Sequence, residues 1–99
     1  FTAAQATAGE PLYNGNCAQC HGVHLEGAAG PALAGSSAAS LQVNAFFAVM
    51  TTTMPYNNPG TLTHDQYVQV MAYVLKRNGV QPGATPLTFA AASNAKVSL

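Results

Sequence analysis

The sequence predicts an all-α domain of three or more helices. Three segments predict it: a capped amphipathic stretch at residues 63–79, a helical stretch at the N-terminus, and a third between Leu41 and Met50. The first is the clearest. Thr63-His64-Asp65-Gln66 fits a capping box, with Thr63 as N-cap and Gln66 at N3. Lys76 and Arg77 fall in the last turn, where cations oppose the negative end of the helix dipole. Gly79 follows at the position where a helix commonly ends in a left-handed residue. Between these ends Tyr67, Val70, Met71, Val74 and Leu75 recur at the spacing of one buried face. Val68, Ala72 and Tyr73 widen the apolar surface, so this helix should be flanked on two sides.

At the N-terminus Thr2-x-x-Gln5 and Thr7-x-x-Glu10 both read as helix starts. Pro11 costs an interior helix a hydrogen bond and a steric clash, so we expect a kinked helix from about Ala3 to Asn16. The helix from Leu41 to Met50 should end at the β-branched Thr51-Thr52-Thr53. Residues 22–40, rich in Gly, Ala and Ser, read as loop, and Asn57-Asn58-Pro59-Gly60 as a turn. Beyond Gln81, Pro82-Gly83 and Pro86 break structure, and an Ala- and Ser-rich tail follows that either wraps the core or serves as a linker. No internal repeat is visible.

A chain of 99 residues fits one domain, here 1–99 with a core at about 3–79 and an extension or linker at 80–99. So short a chain buries a limited share of its surface, and a large internal cofactor would supply much of the missing core. Three basic and three acidic residues leave no basic patch for nucleic acid. They also leave no Lys- or Arg-rich amphipathic stretch for a membrane surface. No run approaches the roughly 20 apolar residues that span a bilayer. Phe1 to Glu10 lacks the charged and apolar regions of a signal peptide, which reads as a mature or excised chain.

The chemistry is concentrated in Cys17-Ala18-Gln19-Cys20-His21, the Cys-x-x-Cys-His run by which c-type haem is attached. Two thiols add across the two vinyl groups as thioethers, and the adjacent imidazole sits beneath the iron. Other readings of the run are a redox dithiol or half a zinc site. A zinc site lacks a second Cys pair, with only His24 and His64 remaining, and a dithiol oxidoreductase would call for a βαβ pattern that is absent. If haem takes both cysteines, no disulfide is possible.

For the iron's opposite face the candidates are Met50, Met54, Met71, His24 and His64. Met71 lies on a helical apolar stripe, where Met is usually core filler. His24 is too near His21 to cross the ring. Met54, in an irregular segment restrained by Pro55, is preferred, with Met50 and His64 as the remaining choices. A ligand imidazole usually donates its other N–H to a fixed acceptor, and the Pro31 carbonyl, ten residues after His21, suits that role. Tyr56, Asn57 and Asn58 are within reach of a propionate, and a plain solvated turn explains them as well.

Taken together, these residues resemble a class I c-type cytochrome over roughly Gly9 to Gly79. Gly9 and Tyr13 before the haem motif, and Tyr73 in the last helix, match the family's helix-crossing positions. Gly30-Pro31 matches its proximal loop and Met54-Pro55 its distal segment. The resemblance implies a class I cytochrome c fold around one covalent haem, with the N- and C-terminal helices crossing and His21 and Met54 axial. Leu25-Glu26-Gly27, Thr53-Met54-Pro55 and Asn78-Gly79 are similar to cytochrome modules of bacterial periplasmic quinohaemoprotein alcohol dehydrogenase systems. Pro11, and the lack of a Lys ring like that of mitochondrial cytochrome c, depart from the pattern.

The resemblance implies an electron carrier rather than an enzyme. It would be periplasmic, a monomer or tethered domain, relaying electrons between a dehydrogenase donor and an oxidase or cytochrome acceptor. Sparse charge predicts that electron exchange depends little on ionic strength. The competing readings are a haem enzyme or small-ligand sensor with an open sixth position, and a zinc or structural module.

Overall fold

The structure is a computed structural model that describes residues 1–36, 38–55 and 58–99. It contains five helices among those residues: α1 (Ala3–Asn16), α2 (Ala18–His21), α3 (Val43–Thr53), α4 (His64–Arg77) and α5 (Phe89–Asn94). The one β feature among them is an isolated antiparallel bridge between Gln42 and Ser98. No helix is long and apolar enough to cross a membrane among the described residues.

Of the two candidate starts for α1, the first is used. Thr2 is the N-cap, and its hydroxyl and the Gln5 side chain satisfy each other's backbone N–H groups. Pro11 sits inside a helix that runs on through Asn16 as one element. α4 begins and ends as its sequence predicts, with Thr63 and Gln66 forming the capping box and Asn78 as C-cap. Gly79 adopts a φ of 91°, open to glycine and strained for other residues.

α1 and α4 cross in close contact. Gly9 is the point of approach: a Cβ there would overlap the Gln69 carbonyl oxygen and sit 3.0 Å from the Tyr73 Cβ. One turn on, the Tyr13 and Tyr73 rings pack with centroids 5.4 Å apart and planes tilted by 46°. Tyr13, Leu25, Phe47, Val70, Met71 and Val74 are fully buried and form the centre of the core. Burying each such side chain contributes about 1.5–3 kcal/mol.

α3 differs from its sequence reading at both ends. It starts at Val43, and it continues through the three threonines that were expected to stop it. Their hydroxyls bond to the helix itself: Thr51 donates to Phe47 O at 2.9 Å, Thr52 to Ala48 O at 2.7 Å and Thr53 to Val49 O at 2.6 Å. Each hydroxyl thus finds a partner without leaving the helical conformation, which offsets the weak helix preference of a β-branched residue.

The tail lies against the core. Thr88 caps α5, and Ala92 is fully buried. Phe89 stacks on His64 with ring centroids 3.9 Å apart and meets Phe47 edge-on at 5.0 Å. The length of α5 explains why composition alone did not announce it: six residues, three of them consecutive alanines, carry no helical stripe.

Candidate functional site

Cys17, Cys20 and His21 are brought together by a change of direction at the end of α1. Cys17 caps α1 with φ −124° and ψ −34°, and its N–H still donates to Tyr13 O at 2.8 Å. The chain then makes the single turn of α2, in which His21 N donates to Cys17 O at 3.0 Å. Gly22, at φ 89°, ends it. Positions i, i+3 and i+4 share one helical face, so this turn directs both thiols and the imidazole to the same side. Cys17 and Cys20 are half-buried and His21 is buried. Burial, with Cys20 adding to it, pushes the Cys17 thiol up to about 11, so the free thiol is neutral at ordinary pH.

That face opens on a cleft of about 490 Å³. Cys17, Cys20, His21, Pro31 and Leu33 line it from α2 and the following loop. Phe46, Met50, Met54 and Pro55 line it from α3 and beyond, and Tyr13, Val70 and Val74 from the crossed helices. No Cα of α2 comes within 8 Å of one in α3, and the cleft lies between the two groups. Leu41 and Val49 also line it while remaining exposed, which places them at its mouth. No Asp, Glu, Lys or Arg is among the lining residues.

His21 is held in one tautomer. Its Nδ1 lies 2.8 Å from Pro31 O. A carbonyl can only accept, so Nδ1 carries the proton and Nε2 keeps a free lone pair for a metal. The loop that delivers Pro31 is tied down along its length. Gly27 N donates to His21 O and Gly30 N to Cys20 O, both at 2.7 Å. Gly30 packs on the imidazole so tightly that a Cβ there would come within 2.9 Å of His21 Cε1. Leu25, buried, holds φ 58° and its carbonyl receives Leu33 N at 2.9 Å. Asn78 closes the far end, its side-chain amide donating to Leu33 O and Val74 O, each at 2.8 Å. Tyr13 closes the near end, donating to Gly22 O at 2.7 Å. Burial and the neighbouring Cys17 hold the Tyr13 phenol well above its ordinary range, so it stays a donor.

Of the candidates for the opposite ligand, the cleft holds Met54 and Met50. Met54 is the C-cap of α3. Its carbonyl accepts from Tyr67 Oη at 2.7 Å and from Gly60 N at 3.2 Å. Met71 is fully buried in the core and does not line the cleft. His64 is engaged with Phe89 outside it. His24 is exposed, its backbone N–H bonded to the Glu26 carboxylate. Asn58 is exposed and away from the lining; Tyr56 and Asn57, its companions as propionate candidates, lie outside the described residues. Among the described residues no three His, Cys, Asp or Glu side chains cluster as a metal site would need.

Sequence reasoning missed three contributors. Gly30 and Asn78 stand out in the sequence only through the family-like Gly30-Pro31 and Asn78-Gly79 pairs, and Tyr67 only as part of an apolar stripe. A hydroxyl on the buried stripe of α4 was the available signal for Tyr67, because a buried phenol needs a partner.

The cleft suits a flat, largely apolar macrocycle. Its volume falls in the range of about 300–1,000 Å³ usual for cofactor sites. Its lining is largely apolar and includes two thiols and an imidazole whose Nδ1 is held by a carbonyl. A family model described as "Cytochrome C oxidase, cbb3-type, subunit III" matches residues 4–74. No curated protein matches the chain at a significant level. Among solved structures, the chain is similar to the sulfane dehydrogenase SoxCD from Paracoccus pantotrophus, with TM-score 0.77 and 24% identity over 93% of this chain and 52% of that one. It is also similar to cytochrome CL from the marine methylotroph Methylophaga aminisulfidivorans, with TM-score 0.54 and 26% identity over 98% of this chain and 69% of that one. The chain therefore spans about half the length of the SoxCD chain it matches, 52%. Both likenesses are to class I cytochrome c folds.

Proposed function

The chain belongs to the cytochrome c family whose model is described as subunit III of cbb3-type cytochrome c oxidase, and from this premise we propose that it carries single electrons through a haem held by Cys17, Cys20, His21 and Met54. Family membership gives the chain a covalent haem c and the role of electron carrier. The ligand set, the partner and the compartment are our reading. When bound, the haem supplies one iron(III)/iron(II) couple.

The residues divide the remaining work. Cys17 and Cys20 would anchor the macrocycle by thioether bonds. His21 Nε2 would bind iron, its orientation kept by the Nδ1–H donated to Pro31 O. Met54 would bind from the other wall, with its backbone held by Tyr67 and Gly60. An uncharged, apolar lining and a thioether ligand both favour the less charged reduced iron, so the potential should be positive. The observation that carries this reading is the fixed tautomer of His21, in a cleft that it shares with Met54.

Met50 supports a second reading, since it lines the same cleft and is 8% exposed. Ferric spectra of Met54→Ala and Met50→Ala separate the two. Loss of the sulfur-to-iron charge-transfer band in Met54→Ala alone supports our assignment; its loss in Met50→Ala alone transfers the role. We further propose a periplasmic setting, because c-type attachment takes place outside the bacterial cytoplasm. The partner would be a dehydrogenase donor, or an oxidase or cytochrome acceptor. The uncharged rim at Leu41 and Val49 fits a partner that docks without strong electrostatic steering.

A further inference from the structure

The segment after α4 lies beyond residues 4–74, the part that the family model matches. It nevertheless provides much of what holds α3, the helix that forms one wall of the cleft. No Cα of α3 comes within 8 Å of one in α1 or α2, and α3 packs more extensively on α5 than on α4. Three backbone hydrogen bonds tie the approach and first turn of α3 to the last residues. Val43 N donates to Val97 O and Asn44 N to Ala95 O, each at 2.8 Å, and Leu99 N donates to Leu41 O at 2.9 Å. Phe89 packs edge-on against Phe47 in the middle of α3, and Ala92 is fully buried.

The other end of this segment is fixed to α1. The Gln5 side-chain amide donates to Leu87 O at 2.8 Å and accepts from Leu87 N at 2.9 Å. The same Gln5 oxygen accepts from Thr2 N within the capping box of α1. The segment thus runs from the start of one crossed helix to the start of α3.

We propose that residues 87–99 form a strap that positions α3, and through it the ligand methionine, over the haem. Phe89, Ala92 and residues 95–99 are positioning residues; none lines the cleft. The leverage is geometric. Eleven residues at 1.5 Å each make α3 about 16 Å long, so a tilt of about 5° at its start moves its far end by about 1.4 Å. Met54 is at that far end. A shift of this size is enough to weaken a metal–sulfur bond while leaving the thioethers and His21, on α2, undisturbed.

This inference rests on methionine ligation from α3, and its test separates the two. Two haem-loaded proteins are compared with wild type: one with residues 95–99 deleted, and the full chain with Phe89→Ala. Val80→Ala, at an exposed site outside the strap, is the control. Ferric cyanide-binding rates and the sulfur-to-iron charge-transfer band are read, with helix content by circular dichroism. We expect both strap variants to bind cyanide at least about tenfold faster, with a weakened band and helix content near wild type. The proposal is overturned if Phe89→Ala keeps the wild-type rate and band, whether or not the deleted chain matures. A wild-type protein without the band would instead sink methionine ligation itself.

Discussion

Tyr67 donates its hydroxyl to the carbonyl of Met54 at 2.7 Å, joining the buried stripe of α4 to the residue that ends α3. The bond fixes the backbone at the point where the proposed ligand leaves its helix. Tyr67→Phe removes it and leaves Gly60 N, at 3.2 Å, as the remaining donor. The expected loss is about 1 kcal/mol of stability, or a Tm lower by about 4–8 °C for a domain of this size. The charge-transfer band should also weaken. An unchanged Tm and band would show that Met54 is held by other means.

Gly30 tests the opposite wall. Adding a Cβ places it 2.9 Å from His21 Cε1 and 3.2 Å from Cys20 O, both held within the hydrogen-bonded turn from Cys17 to His21. Gly30→Ala should cost about 1–3 kcal/mol, as overpacking does. It should also lengthen the His21–Pro31 bond, visible as a shift of the histidine ring resonances in the paramagnetic NMR spectrum. Wild-type stability and resonances in this variant would contradict the close packing.

The helix crossing makes a separate prediction. At Gly9 a methyl group would overlap the Gln69 carbonyl, which is backbone and cannot swing away. Gly9→Ala should therefore cost about 1–3 kcal/mol in urea unfolding, although alanine is the better helix former by about 1 kcal/mol. A stabilised variant would mean that the helices have room to part.

Glu26 carries a pH dependence. Hydrogen bonds from its own backbone N–H and that of His24 hold its carboxyl below the usual carboxylate range. A depressed folded value means that the contribution is present above the unfolded value and is lost as pH falls through the folded one. Wild type should thus lose stability relative to Glu26→Gln as acid is added below about pH 4.3, the unperturbed value for Glu. Parallel curves for the two proteins would remove Glu26 from the acid response. Being exposed, the group should have a small effect.

What was legible in the sequence was local. The capping box at Thr63, the turn at residues 17–21 and the end at Gly79 are each defined by neighbours within four residues. Gly9, Tyr13 and Tyr73 were legible as positions through family resemblance, and the structure brings them to one crossing. What stayed hidden depends on partners far along the chain. Tyr67 meets Met54 across 13 residues and Asn78 meets Leu33 across 45. Gln5 meets Leu87 across 82. The threonines at the end of α3 misled for another reason: their hydroxyls stabilise the very helix that their branched side chains disfavour.

In the proposed ligation both axial positions are filled by residues of this chain, which leaves an electron carrier and no open site. Exposure of the ferrous protein to carbon monoxide tests it most directly. Wild type should keep an unchanged low-spin spectrum, and carbon monoxide should bind rapidly once Met54 is replaced by Ala. A high-spin wild-type protein that binds carbon monoxide freely would contradict it and favour a small-ligand sensor or haem enzyme.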